Sequence, residues 1–308
     1  MKRNLTLAVI FLFSLAAASL AGELATPWAG KGPAHSRLIL ESEQFTSTGV
    51  NRAGVQVQLE EGWWTYWRAP GSSGIPPRFD WSGSKNLADA PELAWPVPIR
   101  AMAYGESLNL YRNEIVFPIE FRAVDPTKPV TLHLRLTYGV CKNMCVPATA
   151  EHEIAIAPAK RQPIRVSESN VRLISAYSVR QPSTDPISTG LEIKEVWESQ
   201  KGGQVRLGVR ITGLQPNRKP LVLVEGPAIF QAAEVTPKLM ADTKQSTLIV
   251  TLGRSADISR LSGKRIRITV IEGKRALEQT WVVGAQSSSA TGVGLTPISA
   301  GTGDKPEP

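Results

Sequence analysis

The chain of 308 residues holds two cysteines, Cys141 and Cys145, in the run Leu136-Thr-Tyr-Gly-Val-Cys-Lys-Asn-Met-Cys-Val-Pro147. Three chemistries suit such a pair: reversible thiol–disulfide exchange, a fixed staple, or soft-metal binding in which Met144 joins the two sulfurs. The runs Val130–Tyr138 and Ala148–Ile156 both read as strands, so the cysteines are expected to face each other across a three-residue turn. Opposed residues of an antiparallel pair place their Cα atoms about 4.5 to 5.5 Å apart, which a disulfide tolerates. Closing so short a loop contributes roughly 2 kcal/mol, the low end for a disulfide, and small rings in exposed turns exchange readily. Magnitude therefore favours a redox-active pair, although the spacing alone is not the C-x-x-C of thioredoxin-like proteins. Lys142 is the only cation within the turn and no helix N-terminus is evident, so the attacking thiolate is expected to come from a partner. That behaviour suits a relay without a classical catalytic centre.

The compartment agrees with this chemistry. Residues 1–21 read as an export signal, with Lys2 and Arg3, an apolar stretch from Leu5 to Leu20, and Ser19-Leu20-Ala21 as a small-x-small cleavage site. Nothing later approaches the ~18 consecutive apolar residues of a spanning helix. A soluble periplasmic protein is expected, with no transmembrane segment after cleavage, in an oxidising space where disulfides persist.

The elements that must position the pair read as all-β. Val55-Gln-Val-Gln-Leu59, Val130-Thr-Leu-His-Leu-Arg-Leu136, Val205-Arg-Leu-Gly-Val-Arg-Ile211 and Ile266-Arg-Ile-Thr-Val270 alternate with period two, and no segment carries a long helical period. Two tandem immunoglobulin-like antiparallel β-sandwiches are expected, over residues 22–158 and 159–284. The boundary is expected at Ala157-Pro-Ala-Lys-Arg-Gln-Pro163, and residues 285–308 read as a disordered tail. Residues 22–158 hold 12 Lys and Arg against 14 Asp and Glu, whereas residues 159–284 hold 20 against 11. The excess base could dock an acidic partner, but Arg206, Arg210, Arg265 and Arg267 stand where alternation already places polar residues. No aromatic residues interleave with them, so nucleic-acid binding is not expected.

No Ser-His-Asp order, H-E-x-x-H or Gly-rich phosphate loop is present. The main competitor to redox exchange is Cu(I) binding in copper tolerance by Cys141, Met144 and Cys145, with Met102 and His133 or His152 completing the shell. Five of the eight tryptophans lie between Trp63 and Trp95, which raises carbohydrate or protein binding; such clusters more often fill a core.

Three stretches carry a resemblance: Gly62-Trp-Trp-Thr-Tyr-Trp-Arg-Ala-Pro-Gly-Ser-Ser-Gly-Ile-Pro-Pro77 with Phe79-Asp-Trp-Ser82; Trp95-Pro-Val-Pro98 with Tyr104-Gly-Glu106; and Tyr138-Gly-Val-Cys-Lys-Asn-Met-Cys-Val-Pro147. Over residues 36–157 the chain resembles the periplasmic N-terminal domain of the DsbD and ScsB family of thiol:disulfide interchange proteins, most closely the ScsB (copper-sensitivity suppressor) branch. Residues 170–283 fit the second sandwich of that branch. The resemblance implies an immunoglobulin-like domain that takes electrons through Cys141 and Cys145 and passes them to thioredoxin-like periplasmic proteins or a disulfide isomerase. It implies no cofactor, and the donor is expected to be a separate membrane-embedded thiol reductase. It also implies a cap over the disulfide in the Met102-Ala-Tyr-Gly105 stretch. Ala103 stands at the capping Phe position, Ala101 and Met102 at acidic ones, so either Tyr104 or Met102 covers the sulfurs or they are less shielded. Trp64 and Tyr66 match aromatic positions near the cysteines and are equally compatible with an ordinary core.

Overall fold

The computed structural model describes residues 24–45, 49–71, 73–158, 164–201, 204–215, 218–226, 238–242, 245–251, 265–283 and 293–297. The expected signal, residues 1–21, lies outside the described residues.

The first half runs through β1 (Ala34–Leu40), β2 (Asn51–Leu59), β3 (Trp64–Gly71), β4 (Arg78–Asp80), β5 (Glu92–Leu93), β6 (Ile99–Ala103), β7 (Glu106–Arg112), β8 (Glu114–Phe121), β9 (Val130–Cys141) and β10 (Cys145–Ile156). These form two antiparallel sheets, ordered β1-β2-β8-β5 and β10-β9-β3-β7-β6, with β4 on β9. Alternation in β9 does what the sequence implies: Val130, Leu132, Leu134, Leu136 and Tyr138 are buried, and Arg135 faces solvent. Phe117 sits at the centre of an aromatic cluster, meeting Phe79, Trp95 and Tyr111 edge-on with ring centroids 5.1 to 5.6 Å apart. Trp64, Trp67 and Trp81 are also buried, so the tryptophan-rich stretch fills the interior and forms no exposed stacking platform.

The alternation in β2 is obscured for a reason that local sequence does not display. A helix, α1 (Glu168–Ser178), packs over the outer face of β8 and β2. Ser167 caps it by accepting from Asn170 N, and a narrow stripe of Asn170, Ile174 and Tyr177 is buried. Gly54 on β2 makes room: a Cβ there would stand 3.1 Å from Ile174. Asn170 Nδ2 donates to the carbonyls of Leu24 and Leu40, which ties the helix to β1 and to the segment before it. This corrects the expectation of no substantial helix. It also corrects the boundary, because after Pro163 the chain returns to the first sandwich, with Glu43 N donating to Arg165 O and Ser167 N to Glu41 O. Apolar burial of Ile174 and Tyr177, not the proline-flanked composition of 157–163, decides where the first unit ends.

The second unit follows a short helix, α2 (Pro186–Thr189), with β11 (Glu192–Lys201), β12 (Gln204–Thr212), β13 (Leu221–Glu225), β14 (Lys238–Asp242), β15 (Gln245–Thr251), β16 (Arg265–Glu272), β17 (Arg275–Val283) and β18 (Val293–Pro297). Strands β13-β16-β17 form one half and β11-β12-β15-β14 the other. Leu191, Val196, Leu207, Val209, Val222, Ile268, Val270, Leu277 and Trp281 form a core of their own between the halves. Strand β18 pairs with both β17 and β11, so residues 293–297 of the expected disordered tail are ordered by backbone pairing with two open sheet edges; the other tail residues lie outside the described residues. Both halves of the chain are thus antiparallel sandwiches, as the sequence implies. They meet closely, since Leu223, Ile271 and Ala276 join the hydrophobic cluster of the first unit, and Ser183 N donates to Ala276 O.

Candidate functional site

Strands β9 and β10 form a hairpin whose register places Cys141 opposite Cys145, with Cα atoms 4.1 Å apart and a disulfide between them. The reading of strand, three-residue turn and strand was therefore correct in register. Lys142 N donates to Met144 O inside the turn. The two sulfurs stand in different surroundings. Cys141, the last residue of a central strand that also pairs with β3 at Trp64, is fully buried. Cys145 begins the edge strand β10 and is exposed. Only Cys145 is open to an incoming nucleophile.

Beneath the disulfide lies a small apolar cluster of Trp64, Tyr66, Leu108, Leu110 and Cys141, with Ala101 and Ala103 packed against it. Tyr66 Oη is 3.1 Å from Cys141 Sγ and 3.3 Å from Cys145 Sγ. Burial raises the pKa of this phenol above its usual value, so Tyr66 keeps its proton and can donate it in a hydrogen bond to sulfur. Two glycines that sequence reasoning quoted but did not interpret make this possible. Gly74, at φ +131°, lies against the Tyr66 ring, where a Cβ would come within 2.5 Å of it. At Gly139 a Cβ would stand 2.9 Å from Ile75, whose carbonyl accepts from Gly139 N at 3.0 Å. Thr65 Oγ1 donates to Gly139 O at 2.8 Å and locks β3 to β9 beside the sulfurs.

Of the two side chains considered for a cap, Tyr104 reaches the turn between the cysteines. It occupies the left-handed region at φ 53°, at the tip of the β6–β7 turn, and its hydroxyl donates to Lys142 O at 2.5 Å. Its ring lies 6.1 Å from that of Trp64. Met102 points outward and is 68% exposed, and Ala103 is half-buried against the cluster. Lys142 Nζ donates to Glu61 O, so the only cation of the turn is engaged with the neighbouring β2–β3 turn. Met144 is 66% exposed beside Cys145.

The histidines considered for a copper shell lie elsewhere. His152 and His133 are seven and eight positions along the hairpin from the cysteines, roughly 24 Å at the usual strand rise. His152 is buried, with Nδ1 3.2 Å from Thr26 Oγ1 and Nε2 2.9 Å from Ser36 Oγ. His133 packs against Gly83. Among the described residues, no three His, Cys, Asp or Glu side chains are gathered as a metal site.

Residues 35–156 match the family described as thiol:disulfide interchange protein DsbD, N-terminal, and residues 182–286 match a domain of unknown function (DUF8393). No curated protein matches the chain. The crystal structure of the N-terminal periplasmic domain of ScsB from Proteus mirabilis superposes with a TM-score of 0.63 at 21% identity, over 86% of this chain and 100% of that one. At that identity the likeness establishes a shared fold across both sandwiches.

Proposed function

Through residues 35–156 the chain belongs to the DsbD N-terminal family of thiol:disulfide interchange proteins, and from that premise we propose that it relays electrons through Cys141 and Cys145 between a membrane-embedded thiol reductase and thioredoxin-like or isomerase partners in the periplasm. The observation that carries this reading is the asymmetry of the disulfide: Cys145 exposed, Cys141 buried beneath it with the Tyr66 hydroxyl beside both sulfurs. In the uptake step a donor thiolate attacks Cys145 Sγ from solvent, in line with the S–S bond. That bond breaks and Cys141 leaves as a thiolate that accepts the Tyr66 hydrogen bond. A charge-assisted bond of this kind is stronger than the neutral one it replaces. The donor's second thiolate then attacks its own sulfur in the mixed disulfide. Cys145 is released, and two electrons have passed from the donor dithiol, now a disulfide, to this protein. Delivery runs the same exchange in reverse against an oxidised partner. We assign the cap to Tyr104, and its hydrogen bond from the β6–β7 turn to Lys142 O supports that reading.

The test is covalent trapping in a periplasmic extract. Cys141→Ala, which leaves the exposed thiol, should accumulate mixed disulfides with thioredoxin-like proteins, whereas Cys145→Ala should accumulate few. Equal trapping by both variants, or none by either, would reject the mechanism. A Cu(I) role has one observation in its favour, the exposed thioether of Met144 adjoining Cys145. Tight Cu(I) binding by the reduced protein that weakens in Met144→Ala would support it.

A further inference from the structure

Strand β3 carries Tyr66 and, two residues later, a group that the exchange chemistry does not use. After Tyr66 the strand loses register with β7: Tyr66 faces Leu110 and Gly71 faces Leu108, so Trp67–Pro70 bulge out opposite Asn109. The bulge is held at two points. Asn109 Nδ2 donates to Ala69 O at 2.9 Å. From the same bulge Arg68 reaches into the second sandwich, where Nε and Nη2 donate to Glu225 Oε1 and Oε2, each at 2.8 Å, and Nη2 also donates to Glu278. Thr269 Oγ1 donates to Glu278, Arg267 lies 3.8 and 3.6 Å from the two carboxylates, and the Arg68 guanidinium stacks 4.4 Å from the Trp67 ring centre. The side chains of Arg68, Glu225 and Glu278 are only 14, 16 and 18% exposed.

A fork-to-carboxylate pair withdrawn from water fixes geometry closely but is a poor source of net stability, because desolvation offsets much of the attraction. Its placement is therefore the informative property. We propose that the second sandwich is a positioning scaffold for the redox site: Glu225 and Glu278 hold Arg68 and, through the β3 bulge, set Tyr66 against the Cys141–Cys145 disulfide. The inference rests on the exchange reading above and adds a role for the second unit. Hydrogen bonds weaken steeply with misalignment, so a small rotation of β3 at the bulge would reach the sulfurs.

The experiment uses the full chain and reads two quantities, the reduction potential against glutathione and the rate of disulfide reduction by dithiothreitol. Wild type is read first; a disulfide that does not exchange would remove the exchange reading itself. Given exchange, Tyr66→Phe defines the effect of losing the hydroxyl. Arg68→Gln and the Glu225→Gln, Glu278→Gln double variant should slow reduction up to about tenfold and shift the potential in the same direction as Tyr66→Phe, the scale of one hydrogen bond to a charged group. Arg68→Lys keeps the charge without the fork and should restore only part of the rate. In the Tyr66→Phe background, Arg68→Gln should have no further effect. A folded Arg68→Gln protein with wild-type rate and potential would overturn the proposal, as would additive effects when Tyr66→Phe and Arg68→Gln are combined. If Arg68→Gln does not fold, Glu225→Gln, which keeps shape and one acceptor oxygen, is judged by the same two criteria.

Discussion

Tyr66 Oη stands 3.1 Å from Cys141 Sγ, the one sulfur of the pair that solvent does not reach. A buried thiolate needs a donor, and burial holds this phenol protonated.

Tyr66→Phe should consequently destabilise the reduced state where Cys141 is a thiolate. Losing a hydrogen bond to a charged acceptor costs about 1.5 kcal/mol or somewhat more, equivalent to a potential about 30 mV more negative. Equilibration with glutathione followed by thiol alkylation measures it. A variant with the wild-type potential would deny Tyr66 that part.

Replacing both cysteines, Cys141→Ser with Cys145→Ser, should lower unfolding stability by only about 2 kcal/mol or less, since the ring closed is so short. Urea denaturation at constant pH gives the number. A loss near 5 kcal/mol, or failure to fold, would return the disulfide to a structural role.

His152 makes stability depend on acid. Burial lowers its pKa to about 4, whereas an unfolded chain titrates near 6.5. The unfolded state therefore takes the proton first as pH falls. Stability present above pH 6.5 should decline between 6.5 and about 4, by about 1 to 2 kcal/mol after allowance for solvent screening. Protonation also requires both the Thr26 and the Ser36 hydroxyls to accept from the ring. His152→Gln should remove this portion of the pH dependence, seen as the difference between the urea midpoints of the two proteins at pH 7.5 and 4.5.

Glu198 works in the opposite sense within the second sandwich. Its side chain is buried with neither carboxylate oxygen hydrogen-bonded, and burial raises its pKa to about 7. The folded state holds the proton more tightly, so its contribution is fully present below about pH 4.5 and lost as pH rises through 7. Glu198→Gln, neutral throughout, should exceed wild type by about 1 to 2 kcal/mol at pH 8.5 and lose most of that advantage at pH 5. Thermal unfolding at both pH values would show this; an equal advantage at both would mean that ionisation is not the cause.

How much of this was legible in the sequence follows from the range of the interactions. The hairpin was, because period-two alternation in Val130–Leu136 and the spacing of Cys141 and Cys145 are local signals that fix register without tertiary context. The aromatic cluster was legible as composition but not as arrangement. Gly74 was visible only as part of a Gly-Ser-Ser-Gly run; its necessity arises from the Tyr66 ring lying against it. Helix α1 escaped because its buried stripe is just three residues wide and one of them is Asn170, whose value lies in carbonyls more than a hundred residues away. Arg68 was unreadable for the same reason, with partners 157 and 210 residues distant. That Tyr104 reaches the cysteine turn while Met102 points outward depends on a left-handed backbone at Tyr104 that sequence spacing does not encode.

The return of α1 onto β8 and β2 determines where the molecule can be divided. A fragment ending at Pro158, where the proline-flanked linker invites a cut, would lay bare the Gly54 and Val116 face that Ile174 covers. It would also release the carbonyls of Leu24 and Leu40 from Asn170. Such a piece should self-associate, its newly bared sheet face being the adhesive, and more strongly than one extended through Gln181, which bares only the surface that Leu223, Ile271 and Ala276 of the second sandwich cover, a distinction that light scattering on the two fragments would register.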